Sequence, residues 1–173
     1  MLAPSSPRKF ALFSALAATA LVVLGGLFYQ SLASDPVVPD VSFTNLQGKQ
    51  ISTQSLRGKV VMVNFWATSC STCVAEMPRM IETYNKYHQQ GLEFVAVAMS
   101  YDPPNYVLNY TETRRLPFHV ALDVQGKLAQ SFGDVKLTPT TYVIDKKGVI
   151  LKRYVGEPSF SELHTLLEKA LAA

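Results

Sequence analysis

The sequence predicts an α/β domain, a mixed central sheet flanked by helices, with an N-terminal β-hairpin and, ahead of it, a transmembrane helix. Three observations predict it. Lys59–Trp66 (KVVMVNFW) and Leu92–Met99 (LEFVAVAM) are apolar almost throughout, as strands buried on both faces are. The segment between them, Ser71 to Gln90, has helical character and stops at Gly91, a natural helix end. Thr140–Asp145 and Val149–Val155 then read as two strands around the turn Lys146-Lys147-Gly148, with one more helix behind them. Strands alternating with helices, then a hairpin and a last helix, describe such a sandwich.

The chain begins differently. From Phe10 to Ser34 there is no charged residue, and a helix needs about 20 apolar residues to cross the hydrocarbon core. Arg8 and Lys9 precede this stretch, and Asp35 and Asp40 follow it. The positive-inside rule therefore places the N-terminus in the cytoplasm and the body outside. Residues 1–33 are read as tail and anchor. The rival is a cleaved signal peptide, since Ser31-Leu32-Ala33 offers small residues to a peptidase, but signal cores usually run to about 7–15 residues. Either way the body is exported. Residues 34–40, with Pro36 and Pro39, form a stiff linker, and 41–173 the folded domain.

Within that domain VSFTNLQGKQIS carries two short β-like runs around Gln47-Gly48-Lys49, and Ser55–Gly58 a turn. Pro103-Pro104 opens a helix that runs to Arg115. Phe118–Leu122 is a third, shorter strand, Lys127–Phe132 a short helix and Gly133–Pro139 a loop. Phe160 to Leu171 closes the chain as an amphipathic helix with Phe160, Leu163, Leu166, Leu167 and Leu171 on one face.

Charge excludes one class of partner. The formal net charge is +3, two units of which come from Arg8 and Lys9. The rest of the chain has only the basic pairs Arg114-Arg115, Lys146-Lys147 and Lys152-Arg153, too dispersed for a nucleic-acid face.

The chemistry lies in WATSCSTCVAEMP, Trp66 to Pro78, which holds both cysteines, Cys70 and Cys73. A bridge between residues three apart closes too short a loop to constrain the unfolded chain, so the pair is a poor staple. A strand running straight into a helix is the setting in which Cys-x-x-Cys has a redox role. Cys70 falls at the helix start, where free N–H groups and the positive end of the dipole favour a thiolate. Cys73 lies one turn in, placed to resolve a mixed disulfide. Metal binding is the alternative. His88, His119 and His164 are scattered singly, whereas Met77 and Met80 lie near the pair and leave a copper-handling reading open. No metal or other cofactor is expected on the redox reading.

VVMVNFWAT, CSTC, VAEMP and the later TPTTYVIDKKGVI together resemble the thioredoxin superfamily, and more narrowly the membrane-anchored, TlpA/ResA-like thiol–disulfide oxidoreductases of bacteria. The likeness covers residues 40–170. It implies a thioredoxin-like fold and a periplasmic reductase of protein disulfides with Cys70 attacking and Cys73 resolving. Trp66 matches a tryptophan beside the active site, Pro139 a cis-proline opposite the cysteines, and Thr138 the residue whose backbone meets the substrate peptide. Glu76 matches an acid that governs cysteine protonation, although an acid early in a helix also simply complements the dipole. Trp66 equally fits core packing. By the same resemblance apocytochrome c is a substrate, and a membrane donor of DsbD/CcdA type returns the electrons. The sequence departs from the family at Ser69, where tryptophan is usual, and at Asn64, which replaces an ionisable aspartate. Thiol peroxidases share this fold, but Ala67 stands where their threonine would be.

Overall fold

The computed structural model describes residues 21–26 and 36–173. The chain divides into two units, Met1–Asp35 and Pro36–Ala173. Of the first, residues 21–26 are helical and exposed. The remainder of the stretch read as a membrane span lies outside the described residues, and among the described residues no helix is long and apolar enough to cross a membrane.

The second unit is built on a five-stranded sheet of order β5-β4-β3-β6-β7. Strand β3 (Val60–Trp66) is at its centre, with all seven residues buried. It pairs in parallel with β4 (Leu92–Ala98) and antiparallel with β6 (Thr140–Ile144). On the outside lie β5 (His119–Leu122), parallel to β4, and β7 (Ile150–Val155), antiparallel to β6. The expected hairpin is present as β1 (Ser42–Thr44) and β2 (Gln50–Ser52), a separate two-stranded sheet. Its turn is shaped by Asn45, whose Oδ1 accepts from the N–H groups of Gln47 and Lys49, and Asn45 also bridges to Ala121 of β5.

Alternation along β3 sends its side chains to two cores. On one face Val60, Met62 and Trp66 meet helices α1 (Ser71–Tyr87) and α4 (Phe160–Ala172) and Val107 of α2 (Pro104–Arg114). On the other face Val61, Val63 and Phe65 meet the hairpin through Phe43 and Ile51, together with Ala129 and Phe132 around α3 (Lys127–Ser131). Helix α1 contributes Cys73, Met77, Met80 and Tyr87 to the first core, a stripe at helical spacing. It passes through a 3-10 turn at His88–Gln90 and ends at Gly91, whose φ of 106° suits glycine alone among ordinary residues.

Two details differ from the sequence reading. From Pro36 onward the expected tether is bonded to the body. Val37 bridges to Val149, Val38 N–H donates to Gly148 O, and Ile150 N–H donates to Pro36 O. Two prolines disfavour helix, but they leave the chain extended, and an extended chain can lie along a strand edge. On α4, Phe160, Leu163, Leu167 and Ala170 are buried, while Leu166 and Leu171 pack at the margin.

Leu163 on α4 is fully buried against the active-site side of the sheet. Leu163→Ala should lower the stability of the domain by about 2–5 kcal/mol, transfer and cavity costs together. Exposed Thr165→Ala on the same helix should stay within about 0.5 kcal/mol. Urea denaturation of the two variants checks this.

Candidate active site

Strand β3 delivers the chain to the top of the sheet at Trp66, and four residues later Cys70 caps α1. The intervening loop is held on both sides. Met99 N–H donates to Trp66 O at 3.0 Å, and Cys70 N–H to Ala67 O at 3.1 Å. The carboxylate of Asp102, itself buried, takes the Thr68 N–H on Oδ2 and the Thr68 hydroxyl on Oδ1, both at 2.6 Å. Asp102 therefore ties the cysteine loop to the turn that follows β4. Sequence reasoning missed it. The only signal was an acid between a buried strand and Pro103-Pro104, and its partner is 34 residues away.

Cys70 and Cys73 are joined as a disulfide. The two sulfurs are not equivalent. Cys70 is half-buried at the N-cap with extended backbone, and its Sγ accepts the Cys73 N–H at 3.1 Å. Cys73 is wholly buried in the core beneath. After reduction the same N–H and the positive end of a 17-residue helix would face the Cys70 sulfur, favouring its thiolate.

Glu76 lies three residues beyond Cys73 on the same helix face, and is only 1% exposed. Its Oε1 accepts from Asn64 Nδ2 at 3.2 Å, and that nitrogen also donates to Thr141 Oγ1 at 2.9 Å. Among the described residues Glu76 Oε2 and Asn64 Oδ1 have no partner. Burial pushes the Glu76 carboxyl up to about 8, against the lowering effect of the Asn64 hydrogen bond, and the negative charge of Glu157 adds to the rise. The carboxyl is thus neutral at pH 7, unlike an acid that merely complements a helix dipole. Its affinity for a proton is close to that of a free cysteine, about 8.5, so proton exchange between such groups is nearly balanced. The Asn64 departure is accounted for: the amide does not ionise, and it orients the acid that does.

Trp66 is fully buried, its ring centroid 5.2 Å from that of Tyr110. Of its two sequence readings, substrate binding beside the site and core packing, the structure gives the second: it is a packing residue under the site, because no part of it reaches the surface. The Thr138–Pro139 peptide bond is cis. Thr140 pairs with Phe65, so Pro139, one residue earlier, comes level with Trp66 at the end of β3 that leads to Cys70. Pro139 is buried and its carbonyl accepts from Gly156 N–H at 2.8 Å. Thr138 is half-buried, and among the described residues its own N–H and C=O have no hydrogen-bond partner.

The side chains considered for metal are placed otherwise. Met77 and Met80 are core residues, His164 bonds Thr83 at 2.9 Å, and His88 stacks on Tyr84. Among the described residues no three His, Cys, Asp or Glu side chains gather as a metal site would need.

A Cys-x-x-Cys disulfide at the junction of a central strand and a helix, with a cis-proline at the neighbouring strand end, defines a thioredoxin-fold dithiol–disulfide protein. Residues 32–167 match the Redoxin family. The thiol-disulfide oxidoreductase ResA of Bacillus thuringiensis subsp. konkukian is 36% identical over 131 residues, covering 76% of this chain and 75% of that one. ResA of Geobacillus thermodenitrificans is 32% identical over 163 residues, covering 93% and 92%. A solved Neisseria meningitidis protein assigned as a thioredoxin superposes with a TM-score of 0.74 at 41% identity, over 79% of this chain and 91% of that one. The chain belongs to the Redoxin family, as a TlpA/ResA-like member of the thioredoxin superfamily, and it is a thiol–disulfide oxidoreductase.

The raised Glu76 carboxyl has a consequence for stability. Between its ordinary value of 4.5 and about 8 the folded protein holds a proton that the unfolded chain has lost. Folding therefore loses stability as pH rises through that window. Glu76→Gln should remove this slope, so that the oxidised variant gains on the wild type steadily from pH 5 to pH 8. Denaturant midpoints measured across that range check the sign.

Proposed function

We propose that this oxidoreductase is a membrane-anchored, extracytoplasmic reductase of protein disulfides that keeps the cysteines of apocytochrome c reduced for haem attachment. The observation that carries the reductase reading is the asymmetry of the pair: a half-buried Cys70 at a helix start and a wholly buried Cys73 one turn below. Such a pair accepts a client at one sulfur only and releases it from inside.

In the reaction the Cys70 thiolate attacks one sulfur of the client disulfide. The other client sulfur leaves with the bonding electrons and takes up a proton, and a mixed disulfide to Cys70 remains. Cys73 gives its proton to Glu76 when that acid is in its ionised form and attacks Cys70 Sγ, leaving the Glu76 carboxyl protonated as it is in the oxidised enzyme, and the second client sulfur departs as a thiolate that is then protonated. The client has gained two electrons and two protons, and Cys70–Cys73 is oxidised. A dithiol of a DsbD/CcdA-type membrane protein restores the pair by the reverse exchange. Thr138 serves the first step, since its unpaired N–H and C=O can pair with an extended client strand beside Cys70.

The uncharged stretch from Phe10 to Ser34, flanked by Arg8 and Lys9, supports anchoring in a bacterial inner membrane with the N-terminus in the cytoplasm and the domain in the periplasm. Apocytochrome c as client rests on the family resemblance.

Replacing Cys73 by Ser removes the resolving sulfur and should freeze clients on Cys70. Expressed in the cell that makes this protein, Cys73→Ser should accumulate reductant-sensitive adducts whose mass spectra identify cytochrome c precursors. Adducts with other exported proteins alone would overturn the haem-attachment role. No adduct with any protein, in a variant that folds, would overturn the reductase reading.

A further inference from the structure

The turn after β4 does more than supply Asp102. The residue before Asp102, Tyr101, is 56% exposed. Two sets of bonds fix where it stands. Through Asp102 the turn grips Thr68 in the cysteine loop. Through its own hydroxyl, Tyr101 reaches Thr138 Oγ1 at 3.2 Å, on the cis-proline loop. Tyr101 thus spans the two loops between which an extended client must lie. Leu137, the next residue back along the cis-proline loop, is 64% exposed, and its carbonyl is held by the Thr140 hydroxyl at 2.7 Å. On the cysteine side the residue preceding Cys70 is Ser69, small, polar and exposed.

We propose that Tyr101 is a specificity-determining residue of the thiol–disulfide reaction, whose ring, with Leu137, binds an apolar side chain next to the cysteine that a polypeptide client presents. This rests on the reading that clients are polypeptides paired along Thr138. The ring supplies, from the turn after β4, an apolar contact that Ser69 cannot. An aromatic ring carries much contact area with few rotatable bonds, so little entropy opposes its use at a docking surface. The hydroxyl has a second task. By holding Thr138 Oγ1 it occupies the Thr138 side chain and leaves that residue's backbone N–H and C=O as the groups on offer to the client.

The test uses two synthetic peptides, each with one intramolecular disulfide, that differ only in having Leu or Asp beside the attacked cysteine, and hydroxyethyl disulfide as a small substrate. The wild type should reduce the Leu peptide with the higher kcat/KM. In Tyr101→Ala the ratio of kcat/KM for the Leu peptide to that for hydroxyethyl disulfide should fall about tenfold, chiefly through KM, and the preference for Leu over Asp should disappear. Tyr101→Phe should keep the preference while losing part of the peptide rate, and Thr138→Val should match it, since both break the same hydrogen bond. A Tyr101→Ala enzyme with wild-type ratio and preference overturns the proposal. So does loss of all three rates in proportion, which marks Tyr101 as merely structural. Tyr101→Trp then restores peptide preference only if a ring is what the client meets. Failure of the wild type to reduce either peptide, with hydroxyethyl disulfide still reduced, instead overturns the polypeptide-reductase reading.

Discussion

The structure depends on one junction, where the central strand ends and the helix that begins there is capped by a sulfur. Cys70 Sγ accepts the Cys73 N–H in the place where serine or aspartate would cap an ordinary helix. That interaction puts one cysteine at the surface and the other in the core without any further device. Everything around it serves to hold the junction still. β3 is paired on both sides and buried on both faces, and Asp102 takes both available donors of Thr68. A cap made of sulfur can ionise and form covalent bonds, so the same atom that ends the loop is the one that starts the proposed reaction.

The second constraint is the acid below. A carboxyl shut into a core with one amide for company keeps its proton at neutral pH. In the oxidised enzyme this stores a proton within the same helix face as the buried sulfur. When Cys73 attacks or leaves, its charge develops in a place that water does not reach, and an internal partner of matched affinity relieves that cost. In the proposed reaction Glu76 serves Cys73, while the helix end serves Cys70. The two cysteines are governed by different physics although they lie on one turn.

Much of this was legible in the sequence because it is local. The apolar runs at Lys59–Trp66 and Leu92–Met99, the stop at Gly91 and the Gly48 turn are short-range signals, and each became the element expected. The cysteine pair was legible for the same reason: its spacing and its strand-to-helix setting are contiguous in the chain. What was not legible depends on pairing over distance. Asp102 meets Thr68, and Tyr101 meets Thr138, only because β4 and β6 flank β3 on opposite sides. For Trp66 the sequence left substrate binding and core packing equally open, because its position in the motif is near the cysteines. Strand alternation decides for packing, sending it to the same core face as Val60 and Met62. Residues 34–40 read as a tether because proline composition carries no information about a waiting strand edge.

The most direct measurement of the central claim is which sulfur a soluble reagent reaches. The reduced domain, given less than one equivalent of iodoacetamide at neutral pH and then digested, should carry the label on Cys70. Cys73 should be labelled only after denaturation. Equal labelling of the two, or label on Cys73 first, would contradict the account, because the capping sulfur would then be neither the exposed nor the reactive one.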